Sequence, residues 1–229
     1  QSEKIDWPSW LAHLERPEEA IRTIQQGKKN LLRAERLHLE NLLEYQKEPD
    51  LRDLKPSGIT QLVIVPMWKE SYEVVAPTIQ SIIDSQYPSD QIVLVIAHEE
   101  RGGDEPARTA QRLLDEFGSR FKHAEKFMHI DGPNEVVGKG GNVTYAARQI
   151  LPYFKQNKID PKSVIVTTLD ADNKPHRHYF AHLAYSFILT HDRKHHSFQP
   201  SALYTNNIWD VPAPMRVLAV GNSFFTIVQ

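Results

Sequence analysis

The sequence predicts an α/β fold, a mostly parallel sheet with helices on both faces, preceded by an N-terminal helical extension. From residue 58 onward, short apolar runs alternate with segments whose apolar residues recur at helical spacing. This alternation favours parallel strands joined by right-handed crossovers. A segment with proline, glycine and charge, residues 49–58, precedes this region. We therefore predict an extension and linker over residues 1–57 and the sheet domain over residues 58–229.

The composition predicts a globular protein and excludes several functional classes. Of the 229 residues, 40% are hydrophobic. The 27 basic residues are balanced by 29 acidic ones, so the chain has no overall positive charge that would attract nucleic acid. No cysteine is present, which excludes disulfides, thiolate zinc sites and a cysteine nucleophile. No apolar run reaches the length of a membrane span, and the first residues do not resemble a signal peptide. We expect a cytoplasmic protein.

The extension is predicted to be helical. Trp7 and Trp10 predict an apolar anchor that packs on a neighbouring surface. Pro17 and Pro49 bracket a single amphipathic helix of up to about thirty residues. Its apolar positions are Leu31, Leu32, Leu39, Leu42 and Leu43. Such a helix either lies against the main domain or serves as a coiled-coil or partner-docking arm.

Residues 62–83 predict the first β–α unit of the sheet domain. Leu62–Val65 is an apolar run typical of a buried strand, and Pro66–Glu70 form the loop after it. Ser71 is placed to cap the following helix. The apolar face of that helix comprises Val74, Val75, Ile79, Ile82 and Ile83.

The next units follow the same order. Ile92–Ala97 predicts a second buried strand, with His98, Glu99 and Glu100 at its carboxyl end. A helix capped by Asp104 follows and ends near Gly118, and Lys126–Ile130 predicts a third strand. The segment Lys139-Gly140-Gly141-Asn142 then leads into a further helix, which reaches about Phe154.

An acidic pair follows the last predicted strand. Val164–Leu169 has no polar alternation and predicts a strand buried on both faces. Asp170 and Asp172 come next, at the sheet edge where open α/β folds bind ligands. Two carboxylates this close suit a hard divalent cation, although an Asp-rich turn capping the next helix is the alternative. Glu70 and Glu99 also end a strand or its loop, and this convergence favours the metal site.

Four segments resemble one family in the same order. The runs VIVPMWKE and SIIDSQYPSDQIVLVI resemble the first strand, next helix and second strand of family 2 glycosyltransferases with the GT-A fold. The runs GKGGNVTYAAR and TTLDADNKP resemble the Gly-Lys-x-Gly-Asn and Asp-x-Asp segments of the polysaccharide-synthase-like branch. The resemblance covers residues 60 to about 200 and implies a nucleotide-sugar-binding domain.

The resemblance implies a role for each matched position. It places Pro66, Trp68 and Glu70 at the nucleoside, Glu99 at the base, Lys139 at the diphosphate or the base, Asp170 near the ribose and Asp172 on Mg²⁺ or Mn²⁺. Relatives usually carry Asp-Asp where this chain has His98-Glu99, which leaves the identity of the base open.

The implied activity is inverting, metal-dependent transfer of a sugar from a nucleoside-diphosphate sugar, with UDP favoured by family habit. The acceptor would be a hydroxyl of a glycan or lipid-linked molecule. Two alternatives remain: a sugar-phosphate nucleotidyltransferase, and a catalytically incompetent module that binds nucleotide sugar or serves as a scaffold.

The acceptor side is the part of the resemblance that the sequence lacks. Relatives supply the catalytic base from an acidic motif well downstream, and no such motif is present here. Asp210 is the only acid after Asp192 and is the remaining candidate for the base. We expect the chain to be incomplete at its C-terminus, with residues 217–228 continuing into acceptor-binding or membrane-proximal structure at the cytoplasmic face of a membrane.

Overall fold

The computed structural model describes residues 5–27, 30–130 and 138–200. Four helices precede the first strand, and strands and helices then alternate. In chain order the elements are α1 (Trp7–His13), α2 (Pro17–Gly27), α3 (Arg33–Lys47), α4 (Pro49–Arg52), β1 (Thr60–Met67), α5 (Tyr72–Ile83), β2 (Ile92–Glu99), α6 (Asp104–Phe117), β3 (His123–His129), α7 (Lys139–Gln149), α8 (Leu151–Gln156), β4 (Val164–Thr168) and α9 (Tyr179–Leu189).

The four strands form one parallel sheet in the order β3-β2-β1-β4. The predicted α/β class is confirmed, and the architecture is Rossmann-like. The chain builds outward from β1 through β2 to β3 and then returns to the other side of β1 for β4. At such a reversal, the loops after the two strands diverge and leave a crevice at their carboxyl ends. This crevice therefore lies beyond β1 and β4.

Helices cover both faces of the sheet. On one face, Leu62 and Ile64 of β1 and Val93 of β2 pack with Ala146 of α7 and Phe154 of α8. On the other face, alternate residues of the same strands join a larger cluster with α5, α6, α9 and the N-terminal helices. All eight residues of β1 and all eight of β2 are buried, as the unbroken apolar runs predicted.

The prediction that the strand before the acidic pair is buried on both faces is wrong. Along β4 the burial alternates, and Val166 is 55% exposed. In the described part of the chain, β4 pairs with β1 alone, so it is an edge strand. A run of apolar and β-branched residues reports strand propensity, whereas exposure depends on which elements cover each face.

The prediction of one helix from Pro17 to Pro49 is also wrong. Helix α2 ends at Gly27 and α3 begins at Arg33, so the segment forms two helices. Both contribute to the large hydrophobic cluster, through residues such as Ile21 and Leu42. The N-terminal helices thus pack against the sheet domain, the first of the two alternatives for this segment, while Leu32 and Leu37 stay exposed.

Aromatic and histidine side chains join the N-terminal helices to α9. Trp7 stacks on His182 with ring centroids 3.7 Å apart. His38 is buried and is hydrogen-bonded at 2.8 Å both to His13 Nδ1 and to the Tyr185 hydroxyl. Burial, reinforced by the neighbouring His13, lowers the pKa of His38 to about 3. The network therefore needs His38 to be neutral.

Helix boundaries differ from expectation in small ways. Ser71 occupies the position before α5 as predicted, but its side chain does not cap the helix. Asp104 is the first residue of α6, and Gly103, with φ 78°, takes the capping position. The predicted helix reaching Phe154 is divided at Ile150 into α7 and α8. No helix in the described ranges is long and apolar enough to cross a membrane.

Candidate functional site

A cavity of about 320 Å³ lies at the carboxyl ends of β1 and β4. Seven residues singled out from the sequence line it, although they come from four separate parts of the chain. They are Pro66, Trp68, Glu70, Glu99, Lys139, Asp170 and Asp172. Met67, Val74, Asn142 and Ala171 complete the lining. The fold thus brings together the residues that the sequence analysis placed in one site.

The acidic turn after β4 presents its two carboxylates outward. Asp170 and Asp172 are exposed, whereas Ala171 between them is buried in the hydrophobic cluster. The Leu169 N–H donates to the Ile64 carbonyl at 3.0 Å, which continues the pairing of β4 with β1. The inward Ala171 explains why a small apolar residue separates the two acids, because a longer side chain would have to enter a close-packed core.

Lys139 begins α7 and reaches the acidic turn. Its Nζ forms an ion pair with Asp170 Oδ1, and about half of each side chain is exposed. The residue before it, Gly138, has φ 111°, a conformation that favours glycine and that sets the direction of the chain entering the helix. The structure therefore places the positive charge of Lys139 directly beside the carboxylate pair.

Asn142 secures the start of α7 to the sheet. Its side chain is 1% exposed, and Nδ2 donates a hydrogen bond to the Ala97 carbonyl of β2 at 3.0 Å. This contact holds the first turn of α7, and with it Lys139, at the edge of the cavity. In the sequence, Asn142 belongs to the glycine-rich segment that begins α7, and nothing there marks it as a site residue.

The loop after β1 carries an exposed aromatic ring. Trp68 is 46% exposed, with Lys69 Nζ 4.7 Å and Arg101 Cζ 5.5 Å from its ring centroid. Glu70 Oε2 accepts hydrogen bonds from the N–H groups of Trp68 at 2.6 Å and Lys69 at 3.1 Å. One carboxylate oxygen of Glu70 thus closes the loop that presents the indole.

Glu99 is the last residue of β2 and is 3% exposed. It forms an ion pair with Arg101, whose guanidinium also lies near Trp68. A buried carboxylate needs such a partner, because an unpaired charge in this position would be costly. Arg101 was missed in the sequence analysis, since nothing in its neighbourhood distinguishes it from an ordinary loop arginine.

The sequence predicted that His98 comes just after the second strand, but His98 lies within β2. Its side chain is buried, and this burial, with a smaller contribution from the positive charge of Lys126, lowers the pKa of His98. His98 is therefore neutral at physiological pH, and Glu99 alone brings a carboxylate from this strand to the cavity.

Among the described residues, no group of three or more His, Asp or Glu side chains is arranged to hold a metal ion. The two carboxylates of the acidic turn are the oxygen donors that the cavity offers beside Glu70 and Glu99. Asp210, the sequence-based candidate for a catalytic base, and the apolar segment 217–228 lie outside the described residues.

Neither a protein-family model nor a curated protein sequence matches this chain. Among solved structures, the chain is similar to a mannosyltransferase from Pyrobaculum calidifontis in complex with GDP-Man and Mn²⁺. The two share 17% sequence identity with a TM-score of 0.41, and the match covers 78% of this chain. The chain spans 43% of the length of that protein.

Proposed function

We propose that this chain carries the donor site of a metal-dependent glycosyltransferase with the GT-A fold. It would transfer a sugar, with inversion, from a nucleoside-diphosphate sugar to a glycan or lipid-linked hydroxyl in polysaccharide or glycan synthesis. The observation that carries the proposal is the cavity at the reversal point of the sheet, which combines an aromatic face, a cation and a carboxylate pair. A nucleoside diphosphate offers the complementary groups: a base for the aromatic face, and a diphosphate that can bind both the cation and a metal ion held by the carboxylate pair. UDP remains the favoured nucleotide by the family resemblance alone.

Asp170 and Asp172 fit a Mg²⁺ or Mn²⁺ ion in their donor chemistry. Both are exposed carboxylates on one short turn, and Ala171 keeps the turn closed against the core. Such cations are commonly held by one or two carboxylates and take their other ligands from water and substrate phosphates. When bound, the cation would neutralise negative charge that develops on the departing diphosphate.

Lys139 would bind the diphosphate. Its ammonium already lies at the acidic turn in ion-pair contact with Asp170, where it would meet an anion held beside that turn. The first turn of α7 adds backbone N–H groups and the positive end of the helix dipole, both of which favour an anion. Lysine and helix together stabilise the leaving group.

Trp68 and Glu99 would bind the base. The exposed indole offers a flat face on which a base stacks. Glu99 would accept hydrogen bonds from N–H groups on the edge of the base. Its ion pair with Arg101 gives this buried carboxylate a partner of opposite charge.

Metal-dependent nucleotide binding tests the proposal. We expect UDP or GDP to bind in calorimetry with Mn²⁺ and at least tenfold more weakly with EDTA. Asp172→Asn should remove the dependence on Mn²⁺ and leave the fold intact, because the side chain is exposed. Asp115→Asn is the matched control, since Asp115 is an exposed acid on α6 outside the cavity. If a folded Asp172→Asn protein kept the wild-type Mn²⁺ dependence, the metal assignment would be wrong.

Product analysis separates this function from the alternatives. A glycosyltransferase releases nucleoside diphosphate from a nucleotide sugar, whereas a nucleotidyltransferase releases pyrophosphate from a nucleoside triphosphate and a sugar phosphate. Binding without either product would favour a nucleotide-sugar-binding module.

A further inference from the structure

The hydroxyl of Thr78 leaves its own helix to contact the acidic turn. Threonine and serine hydroxyls inside helices usually bond a carbonyl of the preceding turn. Thr23 and Thr144 do so inside α2 and α7, and Thr190 does so at the C-terminal end of α9. Thr78 Oγ1 instead donates to the Ala171 carbonyl at 2.7 Å, across 93 residues of sequence. The side chain is completely buried, so water does not compete for this hydrogen bond.

The acceptor is the carbonyl of the peptide that joins Ala171 to Asp172. Fixing this peptide plane limits the backbone rotation that would carry the Asp172 carboxylate away from Asp170. Two further hydrogen bonds define the turn: Leu169 N–H to the Ile64 carbonyl, and Asn173 N–H to the Asp170 carbonyl at 2.9 Å. These two hydrogen bonds fix the beginning and the end of the turn, and the Thr78 hydroxyl fixes the Ala171 carbonyl between them.

We propose that Thr78 is a positioning residue of the donor site, which holds Asp170 and Asp172 in the geometry that binds the metal. This inference rests on the proposed function for its ligand, although the contact itself does not. Thr78 does not line the cavity. It acts through the peptide between Ala171 and Asp172, with α5 as the rigid support.

Three variants isolate the hydroxyl. Thr78→Val keeps the branched shape and removes the donor, and Thr78→Ser keeps the donor and removes a methyl group. Ser85→Ala is the matched control, because Ser85 is also buried, follows the C-terminal end of α5 and donates to the Ile82 carbonyl within that segment. It reports the loss of a buried hydroxyl that does not touch the acidic turn.

Two readouts are measured on each variant of the full chain. The first is the Kd of UDP or GDP with Mn²⁺. We expect Thr78→Val to weaken it about tenfold, which corresponds to the loss of about one hydrogen bond. The second is amide hydrogen exchange over residues 169–173 without ligand, which should become about tenfold faster. Thr78→Ser should restore most of both effects, and Ser85→Ala should show neither.

A folded Thr78→Val protein with wild-type affinity and wild-type exchange in the turn would overturn the proposal. If Thr78→Val does not fold, Thr78→Ala takes its place, since it removes the donor without placing a methyl group against the Ala171 carbonyl. If the wild-type chain binds no nucleotide with Mn²⁺, the proposed function fails, and the exchange readout alone decides whether Thr78 holds the turn. Unchanged exchange would then refute the positioning role as well.

Discussion

Acid should weaken this protein through His38, the buried imidazole that joins α3 to α1 and α9. Both of its nitrogens are hydrogen-bonded, one to His13 and one to Tyr185, and Trp10 stacks on its ring at 4.3 Å. Burial and the neighbouring His13 lower the pKa of His38 from 6.5 to about 3. At pH values between these two pKa values, His38 therefore carries a proton in the unfolded chain and none in the folded chain.

The sign and the size of the effect follow from these two pKa values. Stability rises with pH wherever the unfolded state holds more protons. The contribution of His38 is thus fully present above its unfolded pKa and is lost as the pH falls from 6.5 toward 3. From about pH 8 to about pH 5, the linkage relation gives a loss of at most about 2 kcal/mol in the free energy of unfolding.

Urea unfolding of wild type and His38→Gln at several pH values measures this loss. Glutamine retains a donor and an acceptor but does not titrate in this range. The variant should be less stable at about pH 8, by about 1–3 kcal/mol for the disturbed hydrogen bonds, and the gap should close by up to about 2 kcal/mol at about pH 5. His196→Gln, at an exposed histidine, is the control. A gap that stays constant with pH would refute the reasoning.

Two further predictions concern packing. Gly102→Ala places a Cβ 2.7 Å from the Trp68 carbonyl oxygen and 2.9 Å from Pro106 Cγ, so the loop that presents Trp68 must move. We expect about tenfold weaker nucleotide binding with an altered tryptophan emission, whereas Gly27→Ala, whose Cβ meets nothing within 4 Å, should change neither. Unchanged binding in folded Gly102→Ala would contradict this. Leu42→Ala removes a completely buried side chain of α3 and should cost about 2–5 kcal/mol in one cooperative urea transition. A separate early transition of the N-terminal helices would show instead that they fold independently.

Local patterns in the sequence predict much of this architecture. The unbroken apolar runs of β1 and β2 predict buried strands, and both are buried along their whole length. The Asp-Ala-Asp segment after an apolar run predicts two carboxylates at the carboxyl edge of the sheet. Its carboxylates are exposed and its alanine is buried. These features depend on residues that are neighbours in the chain, so they can be predicted from the sequence.

The tertiary structure alone decides the partners of these elements. Three features each depend on segments far apart in the chain: the position of β4 at the edge of the sheet that the described residues form, the pairing of Lys139 with Asp170, and the hydrogen bond from Thr78 to Ala171. The break between α2 and α3 likewise accompanies their packing against the sheet domain. Periodicity and residue type report which faces a segment can bury. They do not report which distant segment covers that face, because that choice is made by the packing of the whole chain.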